Sequence, residues 1–199
     1  MRVYSIRSIL VEREYTTRLT ECVLLTQSGT KRDLWSLGAT LFELYTGAHL
    51  FPVFDLKNLP LQVDDLNKQE PFDSEFIEKL QPTIDHLHML KLNMGELPDP
   101  KIIESAPSTI RALFRKGANG AYEIAYPPSK VGKLWEKEVK KEGRDYMGMQ
   151  LWEGRVYKAA ERKGQDIAAA SAVIDLIGPM LRLKPQDRPT ADQLLENFD

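Results

Sequence analysis

Three histidines and a single cysteine are the side chains best suited to proton transfer, nucleophilic attack or metal binding in this chain of 199 residues. His86 and His88 flank one position of a segment with helical spacing, so they point to different faces and make no metal pair. His49 stands apart from both. Cys22 lies in the apolar run Cys22-Val23-Leu24-Leu25 and reads as a small buried hydrophobe; a lone cysteine forms no intrachain disulfide and fits a reducing compartment. Gly117-Ala118-Asn119-Gly120 reads as a turn, because no strand and helix of the kind that cradle phosphate flank it. Six acids (Asp64, Asp65, Glu70, Asp73, Glu75, Glu78) face one base, Lys68, within residues 63–78. That run is either a solvated face or an electrostatic attractor for basic peptides. No Ser/His/Asp or Cys/His constellation can be argued from order along the chain, so the sequence assigns no catalytic, cofactor-binding or metal-binding residue.

The elements that would position these residues are mostly helical. Hydrophobic residues make up 42% and charged residues 28%, with a formal net charge of −2, the make-up of a globular protein with no whole-chain attraction for nucleic acid or membrane. No apolar stretch reaches the length of a membrane span, and no secretory signal is read at the start. A helix is expected from Lys31 to Tyr45, capped by Thr30 and stopped at Thr46-Gly47. Leu34, Trp35, Leu37, Ala39, Leu41, Phe42, Leu44 and Tyr45 leave it almost no polar face, so it is expected at the centre of the domain. A loop-rich stretch with prolines at 52, 60, 71 and 82 follows, then short helices at Ser74–Leu80 and Ile84–Asn93, the latter stopped by Gly95. Irregular helix is expected through Pro107–Phe114, a glycine turn with extended flanks at residues 115–124, and a solvated helix over 130–145, where six bases meet four acids. A long apolar helix should run from Ile167 to Leu183, kinked at Pro179. Thr190-Ala191-Asp192-Gln193 is a capping box that opens a last helix, Ala191–Asn197. The fold class is mainly α, a helical bundle around a central buried helix at about 31–46.

Two stretches carry a family resemblance. Asp33-Leu34-Trp35-Ser36-Leu37-Gly38, continued by Leu41-Phe42-Glu43-Leu44-Tyr45-Thr46-Gly47, resembles the D-x-W-S-x-G helix in the C-terminal lobe of eukaryotic protein kinases. Met180-Leu181, then Pro185-Gln186-Asp187-Arg188-Pro189-Thr190-Ala191, then Leu194-Leu195, resembles the closing M-L, P-x-x-R-P-T-A and L-L of that lobe. A third stretch, Arg18-Leu19-Thr20-Glu21-Cys22-Val23-Leu24-Leu25, resembles R-A-P-E-V-x-L, with Thr20 where proline is usual. The resemblance implies that Glu21 pairs with Arg188, and that Asp33 would hold the backbone of a catalytic loop. Asp85-His86-Leu87-His88-Met89-Leu90-Lys91-Leu92-Asn93-Met94-Gly95, Phe114-Arg115-Lys116-Gly117 and Ile177-Gly178-Pro179-Met180-Leu181 are similar to segments of the SR-protein kinases. Those enzymes phosphorylate Arg/Ser-rich proteins. The resemblance makes Asp85 one half of an acidic pair that docks substrate arginines; Leu92 stands where the glutamate half would be.

Phosphoryl transfer by that family needs a Gly-rich loop over the phosphates, an H-R-D catalytic loop and a metal-binding D-F-G. No two glycines here are separated by one residue, the three histidines precede Leu, Leu and Met, and no aspartate precedes phenylalanine. No V-A-I-K-like strand is present either. The family's ATP and Mg are therefore implied for the relatives and not for these residues. The expected organisation is an unassigned segment at 1–14 and a partial kinase lobe over 15–199, with an insert at about 53–84. The expected function is a serine/threonine kinase scaffold, inactive by itself, from a truncated product or incomplete gene model. The alternative is a non-catalytic interaction module that binds basic, Arg/Ser-rich peptides or a kinase partner. Either reading expects an intracellular protein, in cytoplasm or nucleus, with a partner over the exposed face of the lobe and no nucleic acid or membrane.

Overall fold

A computed structural model describes residues 30–51, 74–106, 108–143 and 149–196. Within them the fold is mainly helical, with one two-stranded sheet. Helix α1 spans Thr30–Thr46, α2 Ser74–Met94, α3 Pro100–Ser105 and α4 Ser108–Arg111. Strands β1 (Phe114–Lys116) and β2 (Tyr122–Ile124) form an antiparallel hairpin in which Arg115 faces Glu123. Helices α5 (Lys130–Gly143), α6 (Leu151–Arg162) and α7 (Ile167–Ile177), a 3-10 turn at Pro185–Asp187 and α8 (Ala191–Leu195) complete the described chain. No helix among the described residues is long and apolar enough to cross a membrane.

The ends of these elements follow local chemistry. Gly47 and Gly95 take positive φ (73° and 76°), the backbone state that stops α1 and α2 and that glycine reaches without a Cβ clash. Thr190 and Gln193 close the expected capping box: Gln193 N–H donates to Thr190 Oγ1 at 3.2 Å, and Thr190 N–H to Gln193 Oε1 at 2.8 Å. A second box, Gln150 with Glu153, opens α6.

Two breaks expected at prolines fall differently. The helices expected at Ser74–Leu80 and Ile84–Asn93 are one helix, α2, with Pro82 inside it. A proline there forfeits one backbone bond, but Ile84, Leu87 and Leu90 bury completely on the following turns, each worth about 1.5–3 kcal/mol, and outweigh it. The helix expected to kink at Pro179 instead ends at Ile177; Gly178 caps it, and Met180 and Leu181 turn back to the Ile177 carbonyl. Pro179 has no N–H with which to carry the ladder onward.

The largest core joins α1 (Trp35, Ala39, Phe42), α2 (Met89, Leu90, Met94), α6 (Trp152, Val156, Ala160) and α7 (Ala170, Ile177). A smaller one lies between α2 (Ile84, Leu87), α3 (Ile103) and the segment leading into the hairpin (Ile110, Leu113, Phe114). Helix α6 goes unassigned from sequence alone, yet it packs on α1, α2, α5 and α7. Helix α1 is central on one side only: Leu37 is 45% and Leu44 68% exposed, against the expectation of burial nearly all round. The residues at 1–29 and 52–73, which include Glu21, Cys22 and most of the acidic run, lie outside the described residues.

Candidate functional site

The first cluster forms where the two sequence motifs meet. Arg188, just past the 3-10 turn, is 2% exposed, and its guanidinium carbon sits 5.1 Å from the centre of the Trp35 ring. Its Nε donates to the Arg182 carbonyl at 2.7 Å, Nη2 to Leu183 at 3.2 Å, and Nη1 to Lys31 at 3.2 Å across 157 residues of sequence. Lys31 Nζ returns a bond to the Arg188 carbonyl. The planar five-donor fork of arginine suits this divergent set of carbonyls, and its weak hydration lets it lie against an indole face. Trp35 is stacked in turn on Phe51, ring centroids 6.0 Å apart and 2° from parallel. Gly38, one turn on, lets α1 approach the chain after α7: a Cβ there would stand 2.9 Å from Met180 Cβ. Trp35, Gly38 and Arg188 thus form one structural node. Asp33, in the first turn of α1, is exposed.

Asp85 heads a second node. It is 0% exposed. Ser129 N–H donates to its Oδ1 at 2.8 Å, Ser129 Oγ to its Oδ2 at 2.6 Å, and Gln81 Nε2 to Oδ1 at 3.0 Å. Ser129 Oγ also accepts from Gly132 N–H at 2.9 Å, so it caps α5. Asp85 therefore pins the start of α5 onto α2. A substrate arginine would have to displace Ser129 to reach its carboxylate.

The third node is built on Arg155, a residue that sequence reading missed. It is 3% exposed and lies 4.9 Å from the Phe42 ring centre. It donates to the His49 carbonyl at 2.8 Å, to Leu50 at 3.3 Å, to Asn93 Oδ1 at 3.1 Å and to Glu142 Oε2 at 3.2 Å. Burial pushes the guanidinium's pKa down, and the Glu142 carboxylate pushes it back up. Arg155 ties α6 to α5, to α2 and to the loop after α1. The only advance signal was the helical spacing of Trp152, Val156, Ala159 and Ala160 around it.

None of the three nodes has the geometry of an active site. Each charged group is spent on backbone carbonyls, caps or neighbouring side chains. Among the described residues no three His, Cys, Asp or Glu side chains gather closely enough to hold a metal ion. His88 Nε2 lies 2.9 Å from the Tyr126 carbonyl and its Nδ1 3.8 Å from Glu136, so it too serves packing between elements. An open cleft of about 360 Å³ lies between the ends of α2, α6 and α7, with Glu96, Glu153 and Asp175 against Arg182 on its walls. Glu153 is already engaged in the box that opens α6.

No family model and no curated protein sequence matches the chain.

Proposed function

We propose that the chain supplies the helical large lobe of a eukaryotic serine/threonine protein kinase resembling the SR-protein kinases, and that these residues support phosphoryl transfer without performing it. The observation that carries this reading is the meeting of Trp35 and Gly38 with Arg188, Met180 and Leu181. The two stretches that carry the resemblance lie more than 130 residues apart in the sequence. An unrelated helical chain has no reason to bring both motifs together through their defining residues. The exposed Asp33 and Leu37 on the neighbouring face of α1 fit a seat for a further polypeptide segment. The buried Asp85 gives no support to the alternative in which it docks basic peptides.

The test is a double-mutant cycle on Glu21 and Arg188, the pair that the resemblance joins. Glu21→Ala and Arg188→Ala should each lower the urea midpoint, and their combination should cost less than the sum. The expected coupling is about 1–3 kcal/mol. Additive effects would remove the kinase-lobe reading, because nothing else in the chain demands that contact. In parallel, calorimetric titration with ATP and Mg²⁺ should release no heat; saturable heat would mean that the chain holds a nucleotide site and would overturn the reading of a lobe without one.

A further inference from the structure

Of the asparagines in the chain, Asn58, Asn67, Asn93, Asn119 and Asn197, only Asn119 is followed by glycine. It is exposed at the tip of the β1–β2 hairpin. There Gly120 N–H donates to the Gly117 carbonyl at 2.9 Å, and Gly117 N–H to the Ala121 carbonyl at 2.8 Å. Ala121 N–H donates to Asn119 Oδ1 at 3.0 Å, which folds the side-chain amide back along the following peptide. Asn119 Nδ2 makes no hydrogen bond with a described residue. Gly120 has φ 77°, and a Cβ built on it would meet no heavy atom within 4 Å beyond its chain neighbours.

Three of these features favour attack by the Gly120 backbone nitrogen on Asn119 Cγ. A bare glycine sets no side chain beside the nucleophile, and the space around it is open. The bond from Ala121 N–H polarises the side-chain carbonyl and meets the negative charge that its oxygen gains on addition, as an oxyanion-hole donor does. The unbonded Nδ2 can take up a proton and leave. One feature opposes them: the Gly117 carbonyl holds the Gly120 amide proton. That is an exposed turn bond that water can replace, so it slows attack by no more than about tenfold. Asn93 makes the contrast. It is 0% exposed, its Nδ2 donates to the Leu50 and Met89 carbonyls, its Oδ1 accepts from Arg155, and Met94 follows it.

We propose that Asn119 is a site of self-modification, at which Gly120 N closes a succinimide ring on Asn119 Cγ and water opens it to an acid. The N–Cγ bond forms as the Cγ–Nδ2 bond breaks, and ammonia leaves with the proton that Gly120 N held. Water then adds across one of the two ring C–N bonds at a carbonyl and returns a proton to Gly120 N. Opening at Cγ gives aspartate; opening at the main-chain carbonyl carbon gives a β-linked aspartyl bond. Either product sets a carboxylate at the tip, near Glu123, whose Oε1 lies 2.7 Å from where a Cβ on Gly117 would stand. The β-linked form also adds one backbone atom inside the turn that the Gly117–Gly120 bond closes. With three residues to a strand, the hairpin has few bonds to absorb it, so the pairings of Arg115 with Glu123 and Lys116 with Tyr122 loosen. The inference stands independently of the kinase-lobe reading.

The test incubates the whole folded chain at neutral and at mildly alkaline pH, then digests it in acid, where the reaction is slow, and weighs the peptides. The peptide carrying Asn119 should gain the mass difference between an amide and an acid and split into two chromatographic isomers. Conversion should quicken as pH rises, because Gly120 N must lose its proton to attack. The peptide carrying Asn93 should keep its amide. Asn119→Gln, which would have to close a larger ring, should leave the tip peptide unconverted. Gly120→Ala should slow conversion on the order of tenfold, since the added Cβ disturbs the approach of nitrogen to Cγ; circular dichroism checks that both variants fold. A free peptide of residues 113–125 gives the rate of the same sequence without the rest of the fold. The proposal is overturned if the folded chain converts at less than about a tenth of that rate, because the turn would then protect Asn119. It is equally overturned if Asn93 converts as fast as Asn119, which would place the reaction in unfolded chains.

Discussion

Arg155 and Arg188 are each almost fully buried, and each donates to backbone carbonyls, including one in a segment more than 100 residues away. Such a group adds little net stability compared with an apolar residue of equal shape, but removing it strands its partners. Arg155→Ala should cost about 3–5 kcal/mol, because the carbonyls of His49 and Leu50 and the side chain of Asn93 lose a donor in a dry site. Arg155→Met, which fills most of the volume, should cost less; equal losses in urea unfolding would show that the lost hydrogen bonds and not packing dominate. Asp99 gives the pH dependence at this scale. It caps α3 by accepting from Lys101 N–H at 2.9 Å, and Lys184 Nζ lies 3.2 Å from its other oxygen. First that backbone bond, then Lys184, hold its carboxyl below the ordinary carboxylate value. A folded-state pKa below the unfolded one gives stability that is present above the unfolded value and lost as pH falls through the folded one. Wild type should therefore exceed Asp99→Asn in urea midpoint near neutrality, and the gap should close as pH falls below the ordinary carboxylate value and through the lower folded-state one. A gap that widened on acidification would contradict the capping assignment.

Helices α5 and α6 meet where Gly143 and Gly154 face each other. A Cβ on Gly154 would stand 2.7 Å from the Gly143 carbonyl oxygen and 3.3 Å from its Cα. Backbone cannot rotate away as a side chain does, so Gly154→Ala should push the helices apart and cost about 1–3 kcal/mol in chemical unfolding. Glu161→Ala, at the exposed end of the same helix, is the control and should stay within about 0.5 kcal/mol. A neutral Gly154→Ala would mean the helices already sit farther apart. The contrast between α1 and α6 shows what was legible from sequence. Helix α1 announces itself through an unbroken apolar run and a Thr46-Gly47 stop, and its motif led straight to Trp35 and Gly38. Helix α6 hides because Glu153, Arg155 and Lys158 interrupt its apolar positions, and a charged residue reads as surface until its partners are known. Those partners, at His49, Asn93 and Glu142, are distant in sequence. Pro82 misled for a related reason: its local penalty is certain, while the burial that overrides it is visible only in three dimensions. Asp85 was legible as special, but its bonds to Ser129 were not, because Ser129 lies 44 residues away in sequence.

At the scale of the whole molecule, burial is uneven. Trp35, Ala39 and Phe42 put one side of α1 at the centre of the main core, while Leu37 and Leu44 stand exposed seven residues apart on the same stripe. Two leucines at that spacing, beside the partly buried Leu41, make an apolar strip along a helix that the resemblance places deep inside a complete kinase. Exposed strips of that kind drive association. The purified chain should therefore self-associate as its concentration rises, with sedimentation equilibrium giving a mass above 22.7 kDa. Leu37→Gln/Leu44→Gln should return it to that mass while leaving the thermal midpoint within a few degrees, because neither side chain supports the core. Two results would refute this. A wild type that stays monomeric at high micromolar concentration would mean the strip is too small to act. A double variant that unfolds markedly earlier would mean these leucines are buried by the chain itself, and then α1 would be enclosed on both sides, as its sequence suggests, with no seat left for another polypeptide.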